Sequence, residues 1–231
     1  MSVLNDSQVF YFRIPLNNIA FGKLPFQMTY KYAYCRYYST SLLCQERPAS
    51  NIIGVYDYLS DEPINDYSIL LGKDWLFGEV LTYPPPLRGE AKWSVIGKMP
   101  IDSVNIRLPH FKFGKNDSWF YLKDGKYYLF AGVKAAKEKV NHLEHSNINA
   151  ENTIKLRIIV ELLKRESKSR KLEIPNEEWE NIAFMVLRSE YIHRKDSDER
   201  IREFVSNLLP DMLNQSIYSE IPPEIRGTAV E

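Results

Sequence analysis

Apolar and polar positions follow two different rhythms along the chain. Before residue 134, short aromatic and β-branched runs alternate with polar side chains and break at Pro, Gly or Asn, a pattern that predicts strands and turns. Residues 8–14 form a first strand, halted by Pro15, and residues 29–38 a second. In the second strand Tyr30, Tyr32, Tyr34, Arg36 and Tyr38 share one face, and Lys31, Ala33, Cys35 and Tyr37 the other. A third strand starts at Asn51 and stops at Ser60-Asp61-Glu62-Pro63, either an acidic turn or a helix start capped by Ser60 or Asp61. Residues 64–71 suit one or two helical turns. Residues 75–83 and 92–96 are further strands, separated by Pro84-Pro85-Pro86, which stiffens a loop. Residues 119–130 predict a hairpin about Asp124-Gly125, a pair suited to the positive φ angles of a two-residue turn.

From Val133 the rhythm turns helical. Residues 133–149 predict a connecting helix and a loop. Ile154, Ile158, Ile159, Leu162 and Leu163 then recur at helical spacing. Asn176 is placed to cap a second helix, with Glu177 and Glu178 at its positive dipole end and Trp179, Ile182, Ala183, Val186 and Leu187 as its stripe. Asp196 and Glu199 suit a capping box for a third, with Ile201, Phe204, Val205, Leu208 and Leu209 inward and Pro210 closing it. The last dozen residues read as a loose tail. The expected class is α+β: a β-rich unit over 1–133, a twisted antiparallel sheet or small barrel, followed by an α-helical bundle over 134–231. Thirteen of the fifteen tyrosines precede residue 134, which agrees with that division.

Charge changes the picture little. Lys plus Arg equals Asp plus Glu, 30 against 30, and the stretch through Val133 holds 14 basic and 12 acidic residues, so neither part has the field of a nucleic-acid clamp. The tyrosine ladder, lacking a basic surround, reads as a half-buried sheet face rather than a base-stacking platform. Cys35 and Cys44 have no neighbouring ligands for a metal site. The residues after Met1 lack a basic stretch leading into an apolar core, and no run is long enough to span a bilayer. The expectation is a cytoplasmic protein with reduced thiols and no membrane association.

Four patterns bear on catalytic chemistry. Gly97-Lys98 is followed by Met99 and lacks the upstream glycine of a phosphate loop. No Gly-x-Ser-x-Gly elbow occurs. His142 and His145, three apart, would share a helix face but find no third ligand, so no metal and no cofactor is expected. Arg188 and His193 fit the Arg-x-x-x-x-His spacing of the HEPN ribonucleases, in which arginine balances phosphate charge and histidine handles the 2′-hydroxyl proton. On a regular helix the two would lie about 140° apart, so they converge only if the helix breaks or two subunits pair.

A set of ordered pieces carries a resemblance. The strand ending in Ile14-Pro15-Leu16, then Tyr32-Ala33-Tyr34, Val55-Tyr56-Asp57, Ser60-Asp61-Glu62-Pro63, Trp93, Ile96-Gly97 and Pro100, with the final aromatic hairpin, resembles the immunity protein 26 family of bacterial polymorphic toxin systems over residues 8–132. The helical region lies outside it. The resemblance implies a cytosolic antidote that binds and blocks a cognate toxin, often a nuclease, without catalytic residues and without binding nucleic acid itself. Asp57, Asp61, Glu62 and Asp66 are then the carboxylates to meet a basic cleft. Trp93 and Gly97 read as core and turn residues. The alternative is a ribonuclease or toxin–antitoxin component using Arg188 and His193.

Overall fold

The computed structural model describes residues 7–14, 32–38, 51–89, 92–99, 108–123, 126–127, 131–190 and 197–230. Five antiparallel strands make the main sheet: β1 (Ser7–Arg13), β2 (Tyr32–Tyr38), β3 (Asn51–Ser60), β4 (Val80–Thr82) and β5 (Ser94–Met99), in the order β4-β3-β2-β1-β5. Period-two alternation sorts their side chains. Phe10, Phe12, Ile14, Ala33, Cys35, Tyr37, Ile53 and Val55 enter the large core on one face. Val9, Tyr34, Tyr56 and Met99 pack on the other, beneath the segment carrying Leu70. Trp93 is a core residue as expected, stacked on Phe12 with ring centroids 4.2 Å apart.

A second sheet is built from β6 (Phe111–Lys115), β7 (Ser118–Leu122), β8 (Val133–Ala135) and, after the four-residue helix α1 (Lys137–Val140), β9 (Glu144–His145). Its order is β8-β7-β6-β9, with β9 parallel to β6. Helices α2 (Glu151–Arg170), α3 (Asn176–Glu190) and α4 (Asp198–Asn214) follow. The fold is therefore a β-rich part with antiparallel sheets followed by C-terminal helices. α2 buries Ile154, Leu156, Ile158, Ile159, Val160 and Leu163, residues on more than one side, as a helix enclosed between layers must. The core cluster that begins on the main sheet continues through α2 into α3 and α4.

Several local expectations change. Between residues 75 and 83 only Val80–Thr82 joins the ladder, and Trp75 forms one bridge to Tyr56. At Gly78, outside the ladder, a Cβ would lie 2.7 Å from Glu144 Cγ. The strand expected at 92–96 begins at Ser94, because the Trp93 N–H is spent on the Pro86 carbonyl at 2.8 Å. Gly97 sits inside β5 rather than in a turn, with the Tyr67 ring occupying the place a side chain would take.

The primed hairpin turn is at Asn116-Asp117, whose φ angles are 49° and 57°, and it joins β6 to β7. The Lys126 N–H does reach the Lys123 carbonyl at 3.0 Å, but β7 takes Val133–Ala135 as its next partner, with Tyr121 opposite Val133. Asp124 and Gly125 themselves lie outside the described residues. Where residues 133–149 predicted a helix and loop, β8, α1 and β9 appear, because both edges of the β6–β7 hairpin recruit them.

In the helical region the caps shift. Asn176 is the first helical residue, and the Pro175 carbonyl accepts from the Trp179 N–H at 3.1 Å. The Ser197 hydroxyl caps α4 by accepting from the Arg200 N–H at 3.3 Å, while Asp196 lies outside the described residues. Pro210 does not end α4, since burial of Leu209 and Met212 carries the helix to Asn214. The tail is not loose. It folds into two 3-10 turns, Tyr218–Glu220 and Pro223–Ile225, and is tied down by Arg226 to Asp74 at 3.0 Å, the His110 N–H to the Gly227 carbonyl at 2.8 Å and the Val230 N–H to the Lys139 carbonyl at 3.0 Å. Among the described residues no helix is long and apolar enough to cross a membrane.

Candidate functional site

The end of β3 is a built turn. The Tyr34 hydroxyl, from β2, lies 2.6 Å from the Ser60 hydroxyl and accepts from the Ile64 N–H at 2.9 Å. The Ser60 hydroxyl donates to the Glu62 carbonyl at 2.5 Å. Burial raises the Tyr34 hydroxyl above its ordinary range, so it remains a protonated donor. No helix starts at Ser60 or Asp61, because Ser60 spends its hydroxyl on this turn. The pins hold Asp61 and Glu62 outward, both exposed.

The four carboxylates expected to meet a partner separate into two kinds. Asp57 is engaged by Arg165 of α2: its Oδ2 accepts from Nη1 at 2.7 Å, while Nη2 of the same guanidinium donates to the Leu76 carbonyl at 2.5 Å and Nε reaches Glu161 at 3.2 Å. That carboxylate helps fasten helix to sheet. Asp66 caps the 3-10 turn Tyr67–Leu70, accepting from the Ser68 N–H at 2.8 Å and the Ser68 hydroxyl at 2.5 Å, and these bonds hold its carboxyl below the usual carboxylate range. Asp61 and Glu62 are left as the outward pair; their side chains meet no partner among the described residues.

Beside them lies a group of tyrosines from three strands. Tyr11 meets Tyr32 with centroids 5.8 Å apart and Tyr34 at 6.3 Å, and Tyr34 meets Tyr58 at 5.5 Å. Tyr34 is buried; Tyr11, Tyr32 and Tyr58 are half-buried. The register that pairs Tyr32 with Ser60 brings this face to the acidic turn. Lys73 lies 5.8 Å from the Tyr58 ring centroid, and this cation–π contact shows the face able to hold an ammonium group. The alternation along residues 29–38 made the Tyr32 and Tyr34 face legible, whereas Tyr11 and Tyr58 join it only through strand pairing.

Of the ribonuclease pair, only Arg188 is among the described residues. Arg188 binds Asp198 at 2.9 Å, joining the end of α3 to the start of α4, and His193 lies outside the described residues. His142 and His145 are on a turn and a strand, not one helix face. The His142 Nε2 lies 2.7 Å from the Thr228 carbonyl, and His145 packs against Trp119. Among the described residues no group of three or more His, Cys, Asp or Glu side chains is placed to hold a metal.

Sequence reasoning missed a polar cavity of about 190 Å³ between the second sheet and the tail, lined by Glu79, His110, His142, Glu144, Tyr218 and Arg226 among others. Glu144 is paired with Arg157 at 2.6 Å. Glu79 accepts from the Tyr38 hydroxyl, and burial pushes its carboxyl up to about 7 against the opposing pull of Arg36. It can therefore take up or release a proton near neutrality. The signal was a lone carboxylate in the apolar run Leu76-Phe77-Gly78-Glu79-Val80-Leu81. Compared with protein-family models, curated proteins and solved structures, the chain matches none.

Proposed function

We propose that the protein is a cytosolic antidote that binds a cognate bacterial toxin, a nuclease with a basic cleft, through the tyrosine face and the turn at Asp61–Glu62. The observation that carries this reading is the placement of two outward carboxylates, on a turn pinned by Tyr34, against half-exposed Tyr11, Tyr32 and Tyr58. Tyrosine is enriched where binding energy concentrates, since it offers a large rigid surface and a polar tip. A pinned turn loses little freedom on binding, and its carboxylates steer a basic partner.

The test is affinity for the product of the neighbouring toxin gene. Asp61→Lys with Glu62→Lys should weaken binding at least about tenfold, because like charges facing across an interface cost several kcal/mol. Melting should shift little, as exposed substitutions away from such contacts change stability by about 0.5 kcal/mol. Unchanged affinity with unchanged melting would remove this turn from the interface. Cleavage of RNA by the purified protein, lost in His193→Ala, would favour the ribonuclease instead.

A further inference from the structure

A groove of about 300 Å³ opens between the start of α3 and the end of α4. Leu209 and Leu213 supply its apolar surface, and Asn176, Glu180, Ser206, Pro210 and Asn214 complete it. None of the described residues lining it is basic. Three features make it rich in acceptors. Glu180 brings a carboxylate. Pro210 stands inside α4 without an N–H, so the Ser206 carbonyl one turn earlier loses its ordinary helical donor. The Ser206 hydroxyl cannot make up that loss, since it donates to the Glu203 carbonyl at 2.9 Å. The groove also lies at the C-terminal, negative end of the α4 dipole, whose last turn has no Lys, Arg or His, and beside the positive end of α3, whose charge Glu177 and Glu178 in the first turn answer.

An apolar lining with oxygens at its rim fits a side chain with a long methylene stem and a cationic head. Several acceptors spread over two helices suit a planar fork of five donors better than the compact, strongly hydrated ammonium of lysine. We propose that this groove binds an arginine side chain presented by a partner protein. The inference rests on the groove alone and stands for a partner of any activity; substitutions at Asp61 and Glu62 leave it untouched.

The experiment is a methyl and side-chain amide NMR titration of the full chain with acetyl-Gly-Arg-Gly-amide, beside the same peptide carrying citrulline or lysine. Saturable shifts at Leu209 and Leu213 and at the Asn176 and Asn214 amides are expected with the arginine peptide. Citrulline, which keeps the shape and loses the charge, should bind about tenfold more weakly, the scale of one charge-assisted hydrogen bond. Glu180→Gln should weaken binding several-fold. Pro210→Ala, which returns an N–H to the Ser206 carbonyl, should also weaken it while leaving helical circular dichroism intact. Equal binding of the citrulline or lysine peptide, no shifts at the groove, or full affinity in both variants would overturn the proposal.

Discussion

Glu79 stands in a position where a carboxyl is costly. The unfolded chain releases its proton near the ordinary carboxylate pKa of 4.5, whereas in the folded protein burial holds it to about 7. Between those values the folded state binds more protons than the unfolded one, so this group makes stability fall as pH rises from about 4.5 to 7. Glu79→Gln keeps the shape and an acceptor for the Tyr38 hydroxyl while removing the titration. It should flatten that part of the stability–pH profile and raise stability at pH 8 by an amount on the order of 3 kcal/mol. Urea unfolding at pH 5, 6.5 and 8 checks this, and parallel profiles for the two proteins would contradict it. Lys112 has the opposite sense: burial depresses its ammonium to about 8, so its contribution makes stability rise with pH between about 8 and 10.5. Both groups stand among apolar neighbours, so that each was out of place could be seen in the sequence. Their partners, Tyr38 and Gln215, are 41 and 103 residues distant, and no local pattern names them.

At the level of single elements, two aromatic rings replace absent side chains on the main sheet. The Trp75 indole lies over Gly54 of β3, where a Cβ would come within 2.9 Å of it, and Tyr67 covers Gly97 of β5. Each glycine thus makes room for a ring from the covering segment. Gly54→Val should displace Trp75, lower stability by about 1–3 kcal/mol and shift tryptophan emission toward the red; an unchanged spectrum and melting curve would show the ring is not seated there. The strands themselves were legible because β1, β2 and β3 are runs of aromatic and β-branched residues, buried on both faces, and the end of β3 at Ser60 was marked by its turn residues. The second sheet was read less well. Asp124-Gly125 and Asn116-Asp117 both suit tight turns, and the choice of ladder partner for β7 depends on which strand supplies an edge. The α2 and α3 stripes were plain from spacing, yet Pro210 misled, since tertiary burial of Leu209 and Met212 outweighs a local break.

Across the whole molecule, the last residues act as a strap. Tyr218 gives its N–H to Glu161 at 3.2 Å, Ile221 is buried, Arg226 holds Asp74, and the backbone at residues 227–230 bonds to His110, His142 and Lys139. Deleting residues 216–231 should therefore lower stability by about 3 kcal/mol or more, given one buried isoleucine and several lost bonds. Thermal melting of the truncated chain reads this directly, and an unaltered midpoint would mean that the strap carries no load. This segment suggested a loose end because several of its anchors are backbone groups, which carry no residue-type signature, and because Arg226 meets an aspartate 152 residues away.

Enclosure of α2 has a consequence for how the chain is made. Translation delivers the main sheet first, and its inner face, with Phe10, Phe12, Ile53 and Val55, has little cover beyond Leu76, Phe77 and Trp93 until residues 151–170 leave the ribosome. For some fifty residues of elongation after β5, much of an apolar sheet face would stay open to solvent, the situation in which nascent chains engage chaperones or aggregate. Synonymous codons that slow the ribosome before residue 151 should then lower soluble yield, and codons that hasten it should restore yield, with no change in the finished protein.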